Sequence, residues 1–286
     1  MELSAAEIQH AVRAALAEDI GPGDVTTLAT VPESATLCAE LVAREPLVLA
    51  GLAFAVSAFH ELDRDLVIAP HARDGDPCDR GQTLLRVNGS ARSILTAERV
   101  ALNFVQRLSG VATLTAQFVE QVRGTAAKIL DTRKTTPGWR RFEKYAVQCG
   151  GGTNHRVGLY DLVLIKDNHL AALRDAQPNA IAAAVQRARA AYPELKVEVE
   201  ADTLAQVRQA VAARADIILL DNMSLTDLCA AVALVGDAAQ TEASGGVRLD
   251  NVRAIAGTGV NFISVGAITH SARAVDVALD FATTTA

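Results

Sequence analysis

Apolar positions Ile8, Val12, Ala15 and Leu16 recur at helical spacing over residues 5–18, and Asp19, Gly21 and Pro22 close the run, so an amphipathic helix is predicted there. The period then shortens. Segments 35–43, 46–50, 66–69 and 82–87, separated by Pro46, Pro70, Gly75, Pro77, Gly81 and Gly89, read as short strands joined by turns. Residues 53–62 predict a second helix. From Ser90 a longer helical pattern sets in, with Ile94, Ala97, Ala101, Phe104 and Leu108 on one face. Residues 1–110 therefore read as an α+β layer without regular alternation of strand and helix.

Beyond residue 110 the pattern changes to short apolar runs that end in polar or glycine signatures. These are AKILDTRK (127–134), DLVLIKDNH (161–169), KVEVE (196–200), DIILLDN (216–222), QTEASGG (240–246) and NFISVGA (261–267). Between the later runs lie the Ala-rich amphipathic segments NAIAAAVQRARAAY, TLAQVRQAVAAR, SLTDLCAAVALVG and LDNVRAIAG. Strands alternating with helices imply a parallel sheet with right-handed crossovers. Glu200, Asp221, Ser244 and Gly266 are 21, 23 and 22 residues apart, a compact β/α beat. An incomplete parallel α/β barrel over residues 111–270 is the expected closure. The carboxyl ends of its strands would line one mouth, where such barrels build their active sites. That makes Arg133, Lys134, Lys166, Glu200, Asp221, the stretch Ser244, Gly245, Gly246, and Gly266 the shortlist. Any one of them is equally well explained as a helix cap or a solvated side chain; their coincidence at one rim is what carries weight.

Composition narrows the class. Half of the 286 residues are hydrophobic and 21% are charged, which excludes disordered and collagenous chains and predicts a soluble globular protein. With 27 basic against 33 acidic residues and a net charge of −6, no nucleic-acid or membrane partner is expected. The longest uncharged apolar stretch, Leu47–Phe59, falls short of the roughly 17 residues a spanning helix needs. Glu2 and Glu7 stand where a secretory signal would be basic and then apolar, so a cytoplasmic location is expected. Cys38, Cys78, Cys149 and Cys229 form no C-x-x-C pair and fit reduced thiols. Cys149, beside three glycines, is placed for a nucleophile in a flexible loop, although a bystander thiol is the plainer reading.

Charge is not spread evenly. Residues 131–170 hold seven Lys or Arg and four acids, a net of +3, so the rest of the chain carries −9. Three of only five lysines (Lys134, Lys144, Lys166) fall in this segment. A basic zone in an acidic protein points to a small anionic substrate focused into a cleft. Arg140, Arg141 and Lys144 fit a solvated basic face. Arg133, Arg156 and Arg99 could present planar forks to carboxylates, and Lys134 and Lys166 point charges to carboxylate or phosphate. His155 could donate to a carboxylate. Glu200 and Asp221 offer oxygen ligands for Mg²⁺ or acceptors for sugar hydroxyls. The glycines of Ser244–Gly246 and of Val265, Gly266 and Ala267 would let backbone N–H groups approach a phosphate. No G-x-x-x-x-G-K-[ST], dinucleotide G-x-G-x-x-G, H-E-x-x-H or G-x-S-x-G motif is present, so nucleotide hydrolysis, dinucleotide redox chemistry and serine hydrolysis lose support.

The runs EDIGPGDVTT (18–27), ERVALNFVQRLSGVAT (98–113), DTRKTTPG (131–138), EKYAVQCGGGTNHR (143–156), LIKDNH (164–169), VEVE (197–200), LLDN (219–222) and SGGV (244–247) together resemble the quinolinate phosphoribosyltransferases over nearly the whole chain. The resemblance implies an amino-terminal α/β sandwich domain (1–110) that makes dimer contacts and covers the partner's active site. It also implies an incomplete α/β barrel catalytic domain (111–270) and a carboxy-terminal helix (271–286) packing back on the first domain. It implies a homodimer with Arg99 supplied in trans, and phosphoribosyl transfer from phosphoribosyl pyrophosphate to quinolinate with decarboxylation. By the same resemblance Arg133, His155, Arg156 and Lys166 surround the pyridine dicarboxylate. Thr132, Lys134, Glu200, Asp221, Ser244–Gly246 and Val265–Ala267 surround phosphoribosyl pyrophosphate and Mg²⁺, with Lys134, Glu200 and Asp221 catalytic. Two rival readings remain at this level: a related pyrophosphorylase with another acceptor, and a lyase using Lys166 as a Schiff base, which needs a desolvated amine. A non-catalytic anion-binding protein is a third.

Overall fold

The computed structural model describes residues Met1–Phe281, and the chain divides into two compact units. The first comprises Met1–Ala116, Arg141–Gly151 and the chain from Ser271; the second comprises Gln117–Arg140 and Gly152–His270.

In the first unit, α1 (Ala5–Ile20) starts at Ser4, whose hydroxyl accepts the Glu7 N–H while the Glu7 carboxylate takes the N–H of Ser4. Next come α2 (Val25–Thr30), β1 (Thr36–Ala43), β2 (Leu47–Val48), α3 (Leu52–Leu62), β3 (Val67–Pro70), β4 (Pro77–Cys78), β5 (Thr83–Ser90) and the long α4 (Ala91–Gln121), whose last turn belongs to the second unit. Strands β3, β5 and β1 form an antiparallel sheet. Burial of Leu41, Leu85, Ile94 and Leu108 and the stacking of Phe54 on Phe104, with ring centroids 4.7 Å apart, hold helices and sheet together. Gly110 admits no side chain, since a Cβ there would lie 2.0 Å from the Arg273 carbonyl oxygen.

Two expectations change in this unit. The terminal helix over 271–286 is not formed by the described residues: Val277–Phe281 is a strand that pairs antiparallel with β1, Ala43 opposite Val277 and Ala39 opposite Phe281. Its burial alternates, with Val277 and Leu279 inward, which is the period of a strand. Residues 282–286 of that expectation lie outside the described residues. The second change is at residues 140–149. They form α5 (Arg140–Cys149), on which Glu143, Lys144, Ala146 and Val147 are buried, so Lys144 does not belong to a solvated face. Arg140 is also engaged, donating to Thr135 Oγ1 and the Val157 carbonyl at 3.1 Å each. Cys149 ends the helix instead of sitting in a flexible loop. Burial and the Asp74 charge push its thiol up to about 12, which removes it as a nucleophile.

The second unit is the alternating one. Its parallel strands are β6 (Lys128–Leu130), β7 (Val163–Ile165), β8 (Val197–Ala201), β9 (Ile217–Asp221), β10 (Gln240–Ser244) and β11 (Phe262–Ser264). Helices α6 (Asp167–Ala171), α7 (Ala180–Ala191), α8 (Leu204–Ala212), α9 (Leu225–Val235), α10 (Val252–Ala256) and α11 (Ala267–His270) intervene or follow. Asn179, Thr203 and Ser224 cap α7, α8 and α9. The sheet order is β6-β11-β10-β9-β8-β7, with β6 and β7 unpaired to each other among the described residues, so the barrel is incomplete as expected. The strand Val277–Phe281, β12, closes the element list and belongs to the first unit.

Candidate active site

Because all six strands run the same way, their carboxyl ends meet on one side of the second unit, around a cavity of about 590 Å³. After β6 come Thr132, Arg133 and Lys134; the loop before β7 brings His155 and Arg156; β7 delivers Lys166. Glu200 is the last residue but one of β8, Asp221 ends β9, and Ser244, Gly245 and Gly246 leave β10; all of these line the cavity. Val265, Gly266 and Ala267 do not line it, but Gly266 borders it. A Cβ there would stand 3.2 Å from Lys134 Cδ and from the His270 ring, so a glycine lets the lysine stem pass. Arg99 lies on α4 in the first unit and is not a lining residue.

Backbone anchors set these side chains. Buried Asp131 accepts the His155 N–H at 2.8 Å and the Asn154 amide at 2.6 Å, tying the loop to the end of β6. Thr269 Oγ1 donates to the Lys134 carbonyl at 2.7 Å. Within the cavity Arg133 and Arg156 are neighbours of like charge. Burial, then the charge of Arg133, lowers the Arg156 pKa. Arg133 Nε is buried with no hydrogen-bond partner. An unsatisfied buried donor beside a second guanidinium is costly unless an anion completes it.

Across the mouth, Lys166 Nζ pairs with Glu200 Oε2, and Glu200 Oε1 takes the Asp167 N–H at 3.5 Å. The lysine side chain is 43% exposed and charge-paired, the opposite of the desolvated amine that Schiff-base chemistry requires. Asp167 and Asp202 extend the acidic side. Burial, followed by the charges of Asp221, Glu200 and Asp167, raises the Asp202 pKa. Asp221 is steadied by its neighbour, Asn222 Nδ2 donating to Oδ2 at 2.6 Å. Asn222 itself adopts a left-handed φ of 53°, with its N–H on the Ser244 carbonyl at 2.9 Å.

Gly245, at φ +95°, leaves room for that asparagine; a Cβ would fall 2.1 Å from Asn222 Oδ1. Gly245→Ala should therefore displace Asn222 and, through it, Asp221. Turnover is expected to fall about 100-fold while the melting temperature drops by only about 5 °C. Steady-state kinetics beside a thermal melt checks this, and unchanged turnover would separate Gly245 from Asp221.

Sequence reasoning missed the cavity floor. Glu198, Glu242 and Ser264 are buried on β8, β10 and β11. Ser264 Oγ donates to Glu242 Oε1 at 2.5 Å, and His155 Nε2 lies 3.1 Å from Glu198 and 3.5 Å from Glu242. Burial pulls the imidazole pKa down, but the hydrogen bonds to the two carboxylates outweigh it and lift it to about 10. The Arg156 N–H, 2.7 Å from Nδ1, opposes a second proton on that nitrogen, so the two sides of the ring pull in opposite directions. Both ring nitrogens are thus engaged, Nε2 with carboxylates of the chain itself and Nδ1 with the Arg156 N–H. Burial and the neighbouring Glu242 charge raise the Glu198 pKa. The signal for the floor was present in V-E-V-E: alternation puts Glu198 on the same face as Glu200.

Comparison with known proteins gives a consistent set of matches. Residues 24–109 match the model of the quinolinate phosphoribosyl transferase N-terminal domain, and residues 111–280 that of the C-terminal domain. The carboxylating nicotinate-nucleotide pyrophosphorylase of Mycobacterium leprae is 46% identical over 276 residues, covering 94% of this chain and 95% of its own. The probable carboxylating nicotinate-nucleotide pyrophosphorylase of Bacillus subtilis is 44% identical, covering 92% and 89%. Among solved structures, the nicotinate-nucleotide pyrophosphorylase from Francisella tularensis superposes with a TM-score of 0.92 at 41% identity, over 98% of both chains.

Proposed function

The chain belongs to the quinolinate phosphoribosyltransferase family, and from that premise we propose that its cavity joins quinolinate to phosphoribosyl pyrophosphate, releasing pyrophosphate and CO₂ and leaving nicotinate mononucleotide for NAD biosynthesis. The observation that carries this reading is the buried, unpartnered Arg133 Nε beside Arg156, a paired guanidinium site for a small dianion. Lys166 completes the acceptor side. On the donor side Lys134 faces the pyrophosphate, while the glycines after β10 bring backbone N–H groups to the ribose phosphate.

As the bond from the anomeric carbon to pyrophosphate breaks, positive charge develops on the ribose, and the carboxylates of Glu200 and Asp221 stabilise it. The pyridine nitrogen forms the new bond to that carbon. The now cationic ring nitrogen stabilises the carbanion left on the neighbouring ring carbon when its carboxylate departs as CO₂, and a proton from solvent takes the vacated position to complete the nicotinate ring, so the chain's own task is to orient and desolvate. Glu200 and Asp221 are hard oxygen donors and only two in number, which fits Mg²⁺ held jointly with substrate phosphates, directly or through water. Bound there, the ion would neutralise the leaving pyrophosphate. The working unit is a homodimer, with Arg99 of one subunit completing the site of its partner, in the cytoplasm. No helix among the described residues is long and apolar enough to cross a membrane.

The direct assay supplies phosphoribosyl pyrophosphate and Mg²⁺ with either quinolinate or nicotinate. Nicotinate mononucleotide with equimolar CO₂ is expected from quinolinate alone. Product from nicotinate would assign a different acceptor, and binding of quinolinate without product would leave a sensor.

A further inference from the structure

The reaction just described makes no use of Glu198 and Glu242, yet both are buried beneath the cavity, and the contacts of the Glu198 carboxyl are with the imidazole and with Glu242 itself. As bare charges they work against the site, since two carboxylates under a pocket for a dianion repel it. Their geometry shows what they do instead. They approach the same nitrogen of His155 from two strands, at 3.1 and 3.5 Å, with Ser264 fixing Glu242 from a third. The opposite ring nitrogen takes the backbone N–H of Arg156 at 2.7 Å, and the His155 N–H is itself held by Asp131.

We infer that Glu198 and Glu242 are positioning residues of the acceptor subsite: they lock the His155 ring, which locks the peptide of Arg156 and so the direction in which its guanidinium enters the cavity. The inference rests on the acceptor reading given above. A flexible arginine would pay rotamer entropy each time it closed on a ligand, whereas one rooted in a fixed peptide loses less. Strands supply this rigidity better than loops do, and Arg156 stands in a loop. The same three side chains bring metal-type donors within 4.8 Å of one another, and the ring contact to the Arg156 amide is what favours positioning over metal binding, because a metal-bound histidine ordinarily donates its far nitrogen instead of accepting there.

The test turns on the sign of the effect. Glu198→Gln and Glu242→Gln keep an oxygen for the ring and remove a repelling charge, whereas Glu198→Leu and Glu242→Leu remove the acceptor as well. Titration calorimetry with quinolinate and, separately, with phosphoribosyl pyrophosphate should show the Leu variants weakened at least about tenfold for quinolinate. Their affinity for phosphoribosyl pyrophosphate should stay within about twofold. Both Gln variants should bind quinolinate as tightly as the unaltered protein or more so. In kinetics the Leu variants should raise the KM for quinolinate more than they lower kcat. Ser264→Ala, which removes one hydroxyl, gives the same split in milder form if the floor does not fold around leucine.

Leu variants that bind quinolinate normally, or that lose both ligands equally, would overturn the inference. So would metal analysis finding one tightly held ion per chain that the Leu variants lack. If the unaltered protein binds a different aromatic acid and that ligand shows the same Leu-against-Gln split, the acceptor assignment fails while the positioning role stands.

Discussion

Replacing Glu200 or Asp221 by alanine is expected to lower kcat about 1,000-fold and to leave quinolinate binding intact or tighter. The two halves of this result come from one piece of geometry. Lys166 Nζ is engaged by Glu200, so an acceptor carboxylate must compete with that side chain for the ammonium. In the proposed reaction, removing Glu200 frees the lysine for the acceptor while taking away a carboxylate that would serve the ribose only as its bond to pyrophosphate breaks. An interaction made only in the transition state lowers kcat when lost, whereas one made to the ground state raises KM. Arg133→Ala and Arg156→Ala belong to the second kind. Each leaves its neighbour's charge and part of the dianion unpaired in a partly buried pocket, and quinolinate affinity should fall by about 100-fold. Calorimetry and steady-state kinetics on the four variants separate the classes. Unchanged quinolinate affinity in both arginine variants, or a binding defect in the Glu200 and Asp221 variants as large as their turnover defect, would dismantle the division into donor and acceptor sides.

How much of this was legible beforehand follows from which physical signals are local. The β/α beat of the second unit could be read because short runs closing near Glu200, Asp221 and Ser244 recur at an even interval with Ala-rich amphipathic segments between them. Strand ends of a parallel sheet converge by topology, so a shortlist of rim residues became a cavity without any knowledge of distances. The floor was not legible in the same way. Glu198 and Glu242 sit inside strands, where a charge looks like an exception to an apolar run, and only the contact with His155, from a different segment, gives each a purpose.

The same limitation explains Lys144 and residues 277–281. The burial of Lys144 depends on what covers α5, which spacing along the chain does not encode. In V-A-L-D-F a five-residue pattern fits helix or strand until β1 offers an edge to pair with. Asn222 was hidden for a third reason: its left-handed backbone is set by the Ser244 carbonyl and by the absence of a Cβ at Gly245, a pairwise fit between two strand ends.

A subunit carrying Arg99→Ala and a subunit carrying Lys134→Ala, each inactive alone, are expected to regain activity when mixed. Arg99 is an exposed residue of α4, with Leu95 and Leu102 one helical turn away on either side, so its stem can lie along apolar surface while its head reaches an anion. The cavity-lining residues all belong to the second unit and already include two arginines, whereas Arg99 belongs to the first. If Arg99 acts on the partner's cavity, a heterodimer of the two variants holds one site with both Lys134 and Arg99 and one site lacking both. Random exchange makes half of all dimers heterodimers with one of their two sites intact, so activity should return to about a quarter of the unaltered level by symmetry alone. If Arg99 served its own chain instead, each site of the heterodimer would lack one residue, and nothing would return. Mixing after reversible dissociation, with exchange proven by mass-tagged subunits, distinguishes the two outcomes. Recovery well below a quarter at complete exchange would mean that loss of Arg99 damages more than the one site it reaches.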